Sequence, residues 1–165
     1  MAGKLLANTF FREGQYVQAY STYGGARRGA PVATFIRADD RPVRLRCDVE
    51  EPDAIVCFDP SLLNEKLLAG ARTDTIVLVN CPQNPADFND LGDFRFATID
   101  AIAIASQNSM GRIVNSTLVG ALAGVLEAPD IDVLSEVIRE VSPAKAGQNV
   151  QSARDGYRLV NKGRE

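Results

Sequence analysis

Apolar and polar positions along the chain alternate between two periods. Leu5, Leu6, Thr9 and Phe10 recur at helical spacing, and Gly14 follows as a stop, so residues 2–13 are expected to form a helix. Residues 15–20 switch to strict alternation, with Tyr16, Gln18 and Tyr20 on one side and Val17 and Ala19 on the other. After a glycine-rich stretch, residues 31–38 read as a strand. Residues 39–42 then read as a turn, and residues 43–47 alternate again, with Arg44 and Arg46 on the polar side. This predicts a hairpin of 31–38 with 43–47.

The pattern changes beyond residue 50. Residues 54–58 and 75–79 are short continuous apolar runs, the signature of strands buried on both faces. A third short strand is expected at 94–99. Between them, 61–69 reads as a helix with Asp59 as N-cap and Pro60 at its first position, and 82–93 as a polar loop. Helices are expected at 100–107 (capped by Asp100), 117–126, 131–141 (with Asp130 or Asp132 near its start) and 148–160. Gly120, Ala121, Ala123 and Gly124 in the second of these predict close packing against another helix. Strand and helix alternate, so the expected class is α/β. A Rossmann-like layered sheet, mostly parallel, has helices on both faces and the antiparallel hairpin at one side. With no repeat and no linker, residues 1–165 read as a single domain.

Composition narrows the chemistry. The chain has no histidine, and Cys47, Cys57 and Cys81 are far apart, without a C-x-x-C pairing. Iron–sulfur clusters and structural zinc need several close ligands, so this chain alone is expected to bind no metal. The three cysteines, lying in apolar runs, are expected to be reduced core residues. Without histidine the usual general base and triad partner are missing, and no catalytic side chain is assigned. No apolar run approaches the ~20 residues of a membrane span, and no signal peptide is visible, so the expected placement is cytoplasmic.

Net charge is −3, but it is unevenly spread. Six arginines (Arg27, Arg28, Arg37, Arg41, Arg44 and Arg46) stand against Asp39 and Asp40, a local +4 that leaves −7 for the rest. A basic patch on an acidic body speaks against general nucleic-acid binding and fits a local anion site or an acidic protein surface. The candidate anion site is the stretch with Gly24, Gly25, Arg27, Arg28 and Gly29. Glycines free the backbone N–H groups, and two guanidiniums supply fixed charge for a phosphate, a carboxylate or a partner's acidic side chains. The bland reading is a tight connection with solvated or subunit-paired arginines.

In open parallel sheets, ligands lie beyond the carboxyl ends of the strands. Asp59 and Asn80 fall there, with Asp100, and Asn115 shares their ambiguity; they form a candidate crevice. Each also has a structural reading as a cap or turn residue.

Several blocks together resemble a known family. They are Ala2-Gly3-Lys4-Leu5-Leu6-Ala7, Glu13-Gly14-Gln15-Tyr16-Val17-Gln18-Ala19-Tyr20 and Gly24-Gly25-Ala26-Arg27-Arg28-Gly29-Ala30-Pro31-Val32. Residues 53–63 and 114–121 follow in the family's order. The chain resembles the gamma subunit, or gamma domain, of 2-oxoacid:ferredoxin oxidoreductases, of which pyruvate synthase is the best-known member. The resemblance implies a multi-subunit enzyme that oxidatively decarboxylates a 2-oxoacid to an acyl-CoA. In such an enzyme thiamine diphosphate with magnesium does the carbon chemistry. Iron–sulfur clusters pass electrons to ferredoxin or another acceptor. These cofactors are implied to lie mainly on other subunits, and the implied partners are alpha, beta and ferredoxin-like (delta) subunits. The gamma part is implied to serve assembly and coenzyme A binding, with Arg27 and Arg28 as phosphate clamps. The alternative is a purely structural subunit with no ligand contact.

The chain departs from the family pattern at two points. Ala26 stands where the family commonly has Glu before the paired arginines. The family also opens with a strand and a Gly-x-Gly-Gly-Gln-Gly turn, whereas this sequence opens on the helix, with Met1 at an internal position of the pattern. A free-standing dinucleotide-binding protein is disfavoured by the same missing fingerprint.

Overall fold

The computed structural model describes residues 1–23 and 32–162, with side chains through residue 160. The stretch 24–31, and with it Gly24, Gly25, Arg27, Arg28 and Gly29, lies outside the described residues. The elements in order are α1 (Ala2–Arg12), β1 (Tyr16–Tyr23), β2 (Val32–Asp39), β3 (Ala54–Cys57), α2 (Glu65–Leu68), β4 (Ile76–Asn80) and β5 (Arg95–Ile99). Then come α3 (Ala101–Gln107), α4 (Asn115–Leu126), α5 (Ile131–Val141) and α6 (Ala146–Lys162).

β3, β4 and β5 form a parallel sheet in that order, with Ala54 opposite Ile76 and Ile76 opposite Arg95. Alternation along these strands sends side chains to two faces. Ala54, Val56, Ile76, Leu78, Ala97 and Ile99 point into the larger core, which α1, α3, α4, α5 and α6 complete. Ile55, Cys57, Val77, Val79 and Phe96 point the other way, under Leu63, Leu68, Phe88, Leu91 and Phe94. The long helices thus cover one face. The second face is closed by the single turn of α2 and by two 3-10 turns, Pro60–Leu62 and Pro85–Leu91.

The expected helix over 61–69 is broken. Asp59 caps as expected, its carboxylate accepting from Ser61 N–H at 3.0 Å, but the turn it starts is 3-10 and ends at Leu62. Asn64 then opens a second start, accepting from Leu67 N–H at 3.1 Å. A side chain that satisfies a helix's first donors favours a new N-terminus over continuation. Asp100 and Asp130 cap α3 and α5 as expected, Asp100 accepting from Ala103 N–H at 2.9 Å.

The expected close helix pair is α4 with α6. A Cβ on Gly120 would stand 2.0 Å from the carbonyl oxygen of Ala153, and one on Gly156 2.4 Å from that of Thr117. Backbone therefore meets backbone, and only glycine fits at either crossing point.

The antiparallel hairpin differs from its expectation. β1 pairs with β2 over eight residues, from Tyr16 opposite Asp39 to Tyr23 opposite Val32, as a sheet of its own. Residues 43–47 form no strand. Pro42 brings no N–H to the turn that a second ladder needs, and the second edge of β2 pairs with no described strand. The segment instead lies across the hairpin. Arg37 donates to the carbonyl oxygens of Cys47 at 2.7 Å and Asp48 at 2.9 Å, and Tyr20 Oη donates to Asp48 at 3.0 Å. Cys47 is consequently exposed, against the expectation of a core residue, whereas Cys57 and Cys81 are buried and free as expected.

Candidate functional site

The carboxyl ends of the parallel strands bring three of the expected residues together. Asn80, buried at the end of β4, donates to the carbonyl oxygen of Phe58 at 3.0 Å and accepts from Ala101 N–H at 3.1 Å. It ties the chain leaving β3 to the chain leaving β5, beside Asp59 on one side and Asp100 on the other. Donation from Ser61, first from its backbone N–H, holds the Asp59 carboxyl below the ordinary range, so it is an anion at neutral pH. Asn115 opens α4, half-buried, and no hydrogen bond links it to the other three. The geometry gives Asp59, Asn80 and Asp100 capping and clipping work. Asn80 has both ends of its amide engaged, leaving little of it to recognise a ligand.

Among the described residues, no three carboxylate, thiol or imidazole groups converge as a metal site requires. The described part of this chain thus offers no donor set that fits magnesium or an iron–sulfur cluster. Burial pushes the Cys57 and Cys81 thiols up, so neither is a ready thiolate at neutral pH.

Two features escaped the sequence reading. An open cleft of about 380 Å³ lies at the amino ends of the strands, lined by Asp53, Arg72, Asp74, Ile76, Arg95 and Glu127. Arg72 spans it, bonded to Asp53 at 2.9 Å and Asp74 at 3.0 Å. The alternation of acid and arginine in 72–74 was its only trace in the sequence. The second feature is the Arg37–Asp48–Tyr20 strap, which depends on residues 11 to 28 positions apart and leaves no periodic signal.

The hairpin that carries the glycine-rich stretch is described up to its last pair, Tyr23 opposite Val32. α1 backs it closely enough that a Cβ on Gly3 would lie 2.6 Å from Thr34 Cγ2. The described hairpin, up to Tyr23 opposite Val32, is thus a ribbon anchored on α1.

This is an α/β subunit-type domain without convergent catalytic side chains among its described residues. Residues 1–159 match the family described as pyruvate ferredoxin/flavodoxin oxidoreductase, and the chain belongs to that family. It is 39% identical over 163 residues to pyruvate synthase subunit PorC of Methanothermobacter thermautotrophicus, covering 98% of this chain and 88% of that protein. It is 34% identical over 161 residues to the common gamma subunit of pyruvate/ketoisovalerate oxidoreductases of Pyrococcus furiosus, covering 94% and 87%. The fold matches the crystal structure of pyruvate oxidoreductase subunit PORC from Thermotoga maritima with a TM-score of 0.84 and 30% identity, over 95% and 86% of the two chains. A 2-oxoglutarate:ferredoxin oxidoreductase from Magnetococcus marinus, solved with 2-oxoglutarate, coenzyme A and succinyl-CoA bound, shares the fold over 28% of its chain (TM-score 0.70, 16% identity). The resemblance to the gamma subunit is thereby confirmed, as is the α/β class with a parallel sheet and an antiparallel hairpin, the hairpin standing as a sheet of its own. No helix among the described residues is long and apolar enough to cross a membrane.

Proposed function

We propose that this chain is the gamma subunit of a multi-subunit thiamine diphosphate-dependent 2-oxoacid oxidoreductase. Such an enzyme converts a 2-oxoacid to an acyl-CoA and passes electrons to ferredoxin or another acceptor. The supporting observation is the family match over residues 1–159, with relatives named as pyruvate synthase and pyruvate/ketoisovalerate oxidoreductase gamma subunits. In this reading thiamine diphosphate, magnesium and the iron–sulfur clusters sit on alpha, beta and ferredoxin-like partner subunits. This chain contributes assembly and coenzyme A binding.

Arg27 and Arg28, with Gly24, Gly25 and Gly29, carry the coenzyme A part of the proposal, since paired guanidiniums suit phosphates. The test is the Arg27→Ala/Arg28→Ala double variant in the assembled enzyme. The expected result is a KM for coenzyme A raised about tenfold or more, the loss of at least one charge-assisted contact, with kcat nearly unchanged. Dissociation of the complex instead points to a purely structural loop. Unchanged KM and unchanged assembly overturn both roles for the arginines.

A further inference from the structure

We infer that the first turn of α4 is an oxyanion site. Its ligand is one carboxylate or phosphate group brought by another molecule. That group is seated on the N–H groups of Asn115, Ser116 and Thr117, with the Thr117 hydroxyl beside them. Nothing in this site depends on the coenzyme A role of Arg27 and Arg28.

Three observations carry it. The first is a set of unmet donors. α4 begins after Val114, whose side chain cannot accept a hydrogen bond, and no side-chain cap is made. Leu118 N–H donates to the Val114 carbonyl at 3.0 Å and closes the first turn. The N–H groups of Asn115, Ser116 and Thr117, which precede it, meet no acceptor among the described residues. Water serves such groups at an exposed helix start. Here Ser116 is 3% exposed and Thr117 is fully buried. A buried donor without a partner costs free energy, so a covered helix start of this kind needs an acceptor. The Ser116 hydroxyl is turned to α6, where it donates to Asn149 Oδ1 at 2.7 Å.

The second is Thr117. Its Oγ1 is buried and has no partner. A helical threonine can return its hydroxyl to the carbonyl one turn back, as Thr9 does to Leu5 at 2.7 Å. Thr117 makes no such bond. It is the third residue of its helix, the position from which a side chain reaches back to the cap, and its Cβ leans toward the N-terminus. The free hydroxyl is thus a fourth donor, aimed into the same turn.

The third is the sign of the surroundings. Aligned peptide dipoles place partial positive charge at this end of α4, which favours an anion. Asn149, which holds Ser116, also donates to the Lys145 carbonyl at 3.1 Å and so sets Lys145 beside the first turn. Lys145 Nζ donates to the Ser109 carbonyl at 2.6 Å, on the segment that leads into α4. Neither Lys145 nor Arg112, three residues before Asn115, meets a carboxylate among the described residues. Asp155 on α6 is engaged by Asn108, Gln151 and Arg158. A cation would oppose this field, and an apolar group would leave every donor unmet. One oxyanion satisfies them together.

Hydrogen exchange of the assembled complex, read by mass spectrometry on peptides covering 113–119, tests the site. Parent and Thr117→Val are compared in inorganic phosphate and in chloride at equal ionic strength. Exchange of 115–117 in the parent slowed at least about tenfold by phosphate identifies a free anion as the ligand. Exchange equally slow in both salts, and speeded at least about threefold by Thr117→Val, identifies a carboxylate of a neighbouring subunit. In either case Thr117→Val should keep or slightly raise the thermal midpoint measured in chloride, because the hydroxyl lost has no partner within the chain. Exchange of 115–117 that ignores both phosphate and Thr117→Val overturns the site, whether it is fast or slow. So does a lowered midpoint with unchanged exchange, which would give the hydroxyl an internal structural role. Either failure leaves the Arg27/Arg28 test and the subunit reading untouched.

Discussion

The α4–α6 pair and the β1–β2 hairpin show two ways of holding secondary structure in place. In the first, glycine lets two backbones touch, and the buried run of α4 from Ser116 to Val125 has no exposed side. In the second, two strands hold each other, one helix backs them, and an arginine and a tyrosine strap a coil across the other face. The first is steric and tolerates almost nothing; the second is polar, half-exposed and replaceable piece by piece. A close-packed body and an arm, the strapped hairpin, follow.

The sharpest way to break the body is Gly120→Ala. The added methyl meets the Ala153 carbonyl at a distance where one backbone must shift. We expect a loss of about 3 kcal/mol or more, seen as a thermal midpoint lowered by roughly 6–12 °C for a domain of this size. A variant as stable as the parent would show that the α4–α6 contact is not close-packed. Next is Asn80→Ala, which strips the buried Ala101 N–H and the Phe58 carbonyl of their partner at once. We expect about 2 kcal/mol of destabilisation by denaturant titration, the desolvation cost of a buried group left unpaired. Both effects should leave amide exchange within β1 and β2 little changed if the two regions are independently held.

The same contrast explains what could be read from the sequence. The body was legible because its rules are local and periodic. Continuous apolar runs became β3 and β4, the Asp100 and Asp130 caps started α3 and α5, and the small residues of α4 announced its close neighbour. Where it failed, at 61–69, two good N-caps five residues apart competed, and the chain used both. The arm was legible only in part. Alternation at 43–47 marked a strand that does not form, because pairing depends on long-range partners, and the Cys47 and Asp48 carbonyls accept from Arg37 instead. Among the candidate site residues, Asp59, Asn80 and Asp100 do lie together at the strand ends, but what links those ends is the pair of Asn80 bonds to Phe58 and Ala101, which periodicity does not display. No pattern could have matched Arg37 to the Cys47 and Asp48 carbonyls.

Arg37→Met sharpens the comparison from the arm's side. Methionine keeps the aliphatic stem and removes the hydrogen bonds to the strap. The expected loss of global stability is small, under about 1 kcal/mol, since these bonds are exposed to water. The local effect should be clear: faster amide exchange and faster proteolytic cleavage in 42–49, with α4 and α6 unchanged. Equal protection of 42–49 in parent and variant would mean that the strap is held by something other than Arg37.

The smallest expected effect separates the two regions by pH. In the body, Arg12 holds the Glu140 carboxyl below its ordinary 4.5, and Ser61 holds the Asp59 carboxyl below its ordinary 3.8. A depressed folded value means that the stabilisation is present above the unfolded value. It is lost as pH falls from 4.5 for Glu140, and from 3.8 for Asp59, through the folded value of each. In the arm, partial burial first, and then the hydrogen bond to Asp48, raises the Tyr20 phenol above 10.0. Here the folded state holds the proton more tightly, so the stabilisation is present below pH 10.0 and declines as pH rises through the folded value. Acid should therefore loosen the body and alkali the arm. Tyr20→Phe removes the phenol while keeping the ring that stacks on Phe35 at 5.4 Å. It should flatten the alkaline loss of protection in β1 and β2 and leave the acid limb as it was. An alkaline limb that survives the substitution would place its origin outside the Tyr20–Asp48 pair.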